Sequence, residues 1–252
     1  MHNIWKTVVA VSAVSGLAWA PPALSQDDGD MVAPVELFAC TFREGKGYAD
    51  LEKVNEKFRK WSKKQDRGYS AWTITPQFRS NDGQFDVGWI GSWQGGAQMG
   101  KGIDTWLKGN DGLGAAFDEV IECSHSLVSS VAVNAPDGPP NDGVVWFSSC
   151  SVNEGKNHGQ AFEAHKKLSA GMRQMGGKGQ SWLMYPVFGF KDIEFDYYSV
   201  VSFNNYEELG EAWHLWTNGK GYEKHAPGLM SVATCDSPRV YDARLVVGNE
   251  KK

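Results

Sequence analysis

A chain of 252 residues with 41% hydrophobic residues has the composition of a folded globular protein, long enough for one large domain or two small ones. A net charge of -5 excludes the basic footprint of a nucleic-acid binder and gives no pull toward anionic lipid. The 11 Trp, 12 Phe and 8 Tyr make the chain rich in aromatic residues, which core packing alone can explain.

Taken in chain order, the first segment reads as an export signal over residues 1–25. Lys6 supplies a positive start, Thr7 to Trp19 an apolar stretch, and Ala18-Trp19-Ala20 and Ala23-Leu24-Ser25 two small-x-small cleavage patterns. The apolar stretch falls short of the about 20 residues that span a bilayer. Residues 26–34, with Gln26-Asp27-Asp28-Gly29-Asp30, read as a flexible lead-in. The expectation is a periplasmic or secreted protein without stable membrane insertion, whose thiols meet an oxidising compartment.

The rest is a duplication. Slid so that Cys40 lies on Cys150, the chain places Glu44-Gly45-Lys46 on Glu154-Gly155-Lys156, Trp72 on Trp182, Pro76 on Pro186 and Phe85-Asp86 on Phe195-Asp196. Trp106 falls on Trp216, and after two inserted residues Cys123 meets Cys235. Rare residue types held in one frame this long mark two copies of a domain, residues 35–133 and 144–248. The Pro/Gly/Asn-rich stretch 134–143 between them has linker chemistry.

Within the first copy, Val35 to Phe42 is a short apolar strand, and Tyr48 to Trp61 carries Leu51, Val54, Phe58 and Trp61 at helical spacing. Tyr69 to Phe78 and Phe85 to Trp93 read as strands joined by the hairpin connection Ser80-Asn81-Asp82-Gly83. Gly96 to Leu107 and Leu113 to Ile121 read as helices, the first weakened by its glycines, and Glu122 to Val133 as the closing strand. The order β-α-β-β-α-β, repeated from Val144 to Val247, is that of the ferredoxin-like fold. Its crossovers put strand four antiparallel beside strand one, which brings Cys40 to Cys123 and, by repeat symmetry, Cys150 to Cys235. Two structural disulfides are therefore predicted, and no metal site.

A tandem pair of such units resembles the dimeric α+β barrel superfamily, which includes cofactor-free monooxygenases of the antibiotic-biosynthesis type, NIPSNAP-like proteins and haem enzymes. The resemblance covers nearly the whole chain after the leader and rests on element order and duplication. It implies an α+β fold in which two ferredoxin-like units of one chain form the barrel as an intramolecular pseudo-dimer. It also implies one ligand cavity per unit, between a sheet and its helices.

No phosphate loop or zinc, serine-hydrolase or dithiol motif is present. The Glu-Gly-Lys triplets read as turns, with Gly supplying the bend. Asp86 and Asp196, at matching places inside strand three and flanked by aromatic residues, are candidate proton carriers, or else sit at the strand's entry and bond a backbone N–H. His125, beside Cys123 at the start of strand four, and His214 are the candidate proton-carrying histidines. Trp72, Trp89, Trp182, Tyr197 and Trp216 are the candidate ligand-binding aromatics, with core packing as their alternative role. His158 and His165, seven apart on a helix, read as an exposed face. Haem-degrading monooxygenases of the resembled superfamily hold haem through a histidine in the helix that carries His214, so a haem bound there is an alternative to a protein without cofactor. The functional expectation is an exported protein binding a small, largely apolar molecule, either as an oxygenase or isomerase without a cofactor or as a non-catalytic carrier or envelope interaction protein.

Overall fold

The computed structural model describes residues 32–65, 68–79 and 85–248. The predicted signal segment, most of the lead-in and the hairpin connection Ser80–Gly83 lie outside them. The first copy runs β1 (Ala33–Phe42), α1 (Tyr48–Ser62), β2 (Tyr69–Phe78), β3 (Val87–Trp93), α2 (Gly96–Lys108), α3 (Leu113–Asp118) and β4 (Ile121–Asn134). The second runs β5 (Gly143–Val152), α4 (His158–Gln174), β6 (Gln180–Phe188), β7 (Tyr197–Phe203), α5 (Tyr206–Thr217), α6 (Gly221–Met230), β8 (Ala233–Cys235) and β9 (Arg239–Val247).

Each copy has the strand order expected of a ferredoxin-like unit, β4-β1-β3-β2 and β8/β9-β5-β7-β6. The two sheets are also stitched along their edges. β4 is long enough for its first part to pair with β1 while its last part pairs with β6, and β9 pairs with both β5 and β2. All these ladders are antiparallel and close one ring, so the edge strands of each copy are covered by the other.

The local chemistry explains the boundaries. Gly45 and Gly155, both at φ 73°, make the turns after β1 and β5, where a side chain would be strained. The first-copy helix expected to run to Ile121 stops at Asp118, because Ile121 joins β4 opposite Phe42. In the second copy the corresponding strand is split into β8 and β9. Pro238 lies in the break and has no ladder N–H, while Asp236 accepts the Ser149 N–H there at 2.7 Å.

Strand alternation sorts the side chains into an interior and a helix-facing set. Val35, Val128, Val145, Met184, Val200 and Ala243 fill the barrel interior. On the other face, Cys40, Leu51, Val54, Val87 and Ile121 join sheet to helices in the first copy, and Cys150, Ala161, Leu183 and Tyr197 do so in the second. Both disulfides are formed, Cys40–Cys123 and Cys150–Cys235, each between residues directly opposite in an antiparallel pair. Among the described residues no helix is long and apolar enough to cross a membrane.

Candidate functional site

The helix-facing side of β1 carries Glu36, Phe38 and Cys40 in alternation with the inward Val35 and Leu37. Above this row, beneath α1, α2 and α3, lies a cavity of about 570 Å³ walled by Phe58, Trp61, Trp89, Trp93, Trp106 and Phe117. Its polar groups gather at one place. Glu36, only 7% exposed, accepts a hydrogen bond from Trp93 Nε1 at 3.0 Å and stands 3.1 Å from Nε2 of His125. Tyr69 completes the cluster: its hydroxyl bonds Glu36 and accepts from Trp89 Nε1 at 2.9 Å. Burial, and then the Glu36 charge, push the Tyr69 phenol well above its ordinary range.

A carboxylate can only accept, so Nε2 is the His125 nitrogen that donates to Glu36. The ring stacks flat on Phe38, centroids 3.9 Å apart, and its side chain is 48% exposed at the cavity rim. Two glycines make room for this arrangement. A Cβ on Gly102 of α2 would overlap the Trp93 ring, and one on Gly91 the Tyr69 ring.

The second copy holds different residues at these places. In the repeat frame Trp146 stands for Glu36, Phe203 for Trp93 and Gly179 for Tyr69. Trp146 packs edge-on against Phe203 at 5.2 Å, an apolar pair where the first copy has the Trp93–Glu36 bond.

Of the predicted residues, His125 and Trp89 line this cavity. Trp72 and Trp182 line another, of about 170 Å³, inside the barrel, where Trp72 Nε1 also donates to the carbonyls of Pro140 and Asn141 at 3.0 Å. Asp86 and Asp196 line neither. Each precedes its strand and accepts a backbone N–H, Asp86 from Phe42 at 2.9 Å and Asp196 from Val152 at 2.7 Å, which ties strand one to strand three. Tyr197 is fully buried in the second-copy core and bonds Nε2 of His165 at 3.0 Å, and Trp216 packs edge-on against Tyr222.

His158 and His165 do not form an exposed face. α4 turns them toward the sheet, His165 to 6% exposure and His158 edge-on to Tyr185. Burial pulls the His165 imidazole down to about 4 and pushes the Tyr185 phenol up to about 12.

Glu36 escapes a reading of the sequence alone, since a lone acid in an apolar strand reads as an outward, solvated residue. The available signal is its replacement by Trp146 in the other copy.

No family model and no curated protein matches the chain. Among solved structures, a candidate monooxygenase from Lactobacillus acidophilus superposes with a TM-score of 0.55 at 13% identity, over 86% of this chain and 95% of that one. A candidate chlorite dismutase gives 0.53 at 14% identity, over 87% and 97%. The chain has the dimeric α+β barrel fold. A haem-binding protein from Thermus thermophilus shares the barrel with a TM-score of 0.50 at 12% identity, over 85% and 92%.

Haem at His214 does not fit this chain's residues. His214 lies on the exposed side of α5, its Nδ1 is 3.1 Å from the Asn218 amide one turn on, and it lines neither cavity.

Proposed function

We propose that the first repeat binds a small, planar, largely apolar molecule in its aromatic cavity, with His125 as the proton acceptor at the rim. The observation that carries this reading is the Glu36–His125 pair, a buried carboxylate 3.1 Å from Nε2 of an imidazole that lines the cavity. The cavity volume of about 570 Å³ suits a molecule of two to four fused or linked rings, within the usual range for ligand pockets of about 300–1,000 Å³.

In this reading, a bound molecule presents an enolic or phenolic O–H, or an activated C–H, to Nδ1 of His125. The imidazole takes that proton, and Glu36 stabilises the imidazolium through its bond to Nε2. Trp93 and Tyr69 satisfy the remaining carboxylate lone pairs and keep Glu36 in place. The resulting carbanion or enolate can be reprotonated elsewhere, an isomerisation, or can react with dioxygen, an oxygenation without a dissociable cofactor. Asp86 and Asp196 act as strand latches, and the barrel-interior tryptophans pack the core.

The protein is further proposed to be exported, a reading supported by the N-terminal pattern and by two disulfides, which persist in oxidising compartments. The test of function is a tryptophan-fluorescence titration with 2-naphthol. Quenching that saturates, and that weakens at least tenfold in Trp89→Ala, supports the cavity as the binding site. Saturable binding with an ionised-naphtholate signature lost in His125→Ala supports proton transfer. Binding indifferent to both variants overturns the reading, and binding lost in Trp89→Ala alone leaves a carrier.

A further inference from the structure

The second repeat contains a cluster that the cavity chemistry does not use. Cys150 of β5 and Cys235 of β8 face each other in register and are joined as a disulfide. His165 of α4 lies against that bond, with both sulfurs and an imidazole nitrogen all within 4.8 Å of one another. Cys150 is 0% exposed and His165 nearly so, while Cys235, at the end of the short β8, is only partly covered. The Tyr197 hydroxyl, 3.0 Å from Nε2 of His165, fixes the ring.

Two thiolates and an imidazole form a zinc donor set, and a hydrogen-bonded partner on the imidazole is the outer support such ligands need. The first repeat lacks the third donor. In the frame that places Cys40 on Cys150, Asn55 of α1 stands where the second repeat has His165.

We propose that the Cys150–Cys235 disulfide is the oxidised form of a thiol-linked zinc site, and that its reduction lets Cys150, Cys235 and His165 take up one Zn²⁺, with a fourth position for water. A dithiol donor supplies the two electrons and two protons: the S–S bond breaks, two thiols form, and the donor becomes a disulfide. Zinc then displaces the two thiol protons and binds both thiolates. Partly exposed Cys235 is the side from which the donor reaches the bond.

The experiment uses the full mature chain carrying Cys40→Ser and Cys123→Ser, so that only the second pair remains. It is reduced with a phosphine, desalted without oxygen and titrated with Co²⁺. The expected result is one Co²⁺ per chain with a thiolate-to-cobalt charge-transfer band and the visible bands of a tetrahedral site, displaced by Zn²⁺. His165→Asn, which installs the first repeat's residue, is expected to weaken the site at least tenfold. Absence of the charge-transfer band, or equal affinity in His165→Asn, overturns the proposal. Melting of the same reduced chain guards against binding by unfolded protein: Zn²⁺ raises Tm if the site is as described, and a Tm unmoved by Zn²⁺ also overturns it.

Discussion

Nε2 of His125 and Oε1 of Glu36 stand 3.1 Å apart across the β1–β4 pair, joining residues 89 positions apart in the chain. His125 sits directly opposite Phe38 in the register, so its ring lies over Phe38 and reaches diagonally to Glu36. The stack sets the height of the imidazole, and the carboxylate sets which nitrogen faces out.

Glu36→Ala should be strongly destabilising. It leaves the buried Trp93 N–H without an acceptor and strips the Tyr69 hydroxyl and His125 of their partner. Each stranded donor costs about 1–3 kcal/mol, so a loss of about 2–4 kcal/mol is expected from urea unfolding. Glu36→Gln keeps acceptor capacity through its carbonyl and should cost roughly half as much. A Glu36→Ala loss near zero would show that the carboxylate is not holding the cluster.

Gly102→Ala sets two effects against each other. Alanine favours the helix by about 1 kcal/mol over glycine. Its methyl, however, overlaps the Trp93 ring, which is pinned by Glu36 and packed at a tilt against Tyr69, centroids 4.3 Å apart. Overpacking costs about 1–3 kcal/mol, so the overlap wins. The expected outcome is a net loss of about 1 kcal/mol with weaker naphthol binding, read by urea unfolding and fluorescence titration. A more stable variant with unchanged binding would show that α2 moves aside freely.

Removing the first disulfide tests what closes that repeat. The Cys40–Cys123 bond spans 83 residues, a loop whose closure is worth on the order of 4 kcal/mol in the chain-entropy picture. Cys40→Ala with Cys123→Ala should lower stability by that order. A change below about 1 kcal/mol would mean that the β1–β4 ladder already restrains the unfolded chain.

His165 gives a pH signature in the disulfide-bonded protein. Its folded value of about 4 lies below the ordinary 6.5, so the unfolded chain takes up a proton that the folded one refuses. Stability is therefore full above about pH 6.5 and falls as the pH drops toward about 4. The limit is about 3 kcal/mol, from about 1.4 kcal/mol for each unit between the two values. Unfolding midpoints measured across that window should flatten in His165→Asn relative to the parent. Parallel curves for the two proteins would remove His165 as the cause.

Much of the scaffold is legible in the residues. The duplication and element order give the strand arrangement of each copy, and the cysteines follow from it because strand four must run beside strand one. The sealing of the two sheets into one ring is less legible, since it depends on how far β4 and β9 extend past their own copies. The site is harder still. Glu36 draws its role from Trp93 and His125, far along the chain, and residues shared by the two copies draw attention away from those that differ. His158 and His165 mislead for a similar reason: a polar residue type suggests solvent, while the helix face that carries it is set by packing against Tyr185 and Tyr197.

The central claim, that the first repeat's cavity binds a molecule against His125, is tested most directly by nuclear magnetic resonance on protein labelled with ¹⁵N at histidine. On adding 2-naphthol, the imidazole signals of His125 should shift in a saturable way while those of His158, His165, His214 and His225 stay in place. Saturable shifts at His214 or at the other second-repeat histidines, with His125 unmoved, would contradict it.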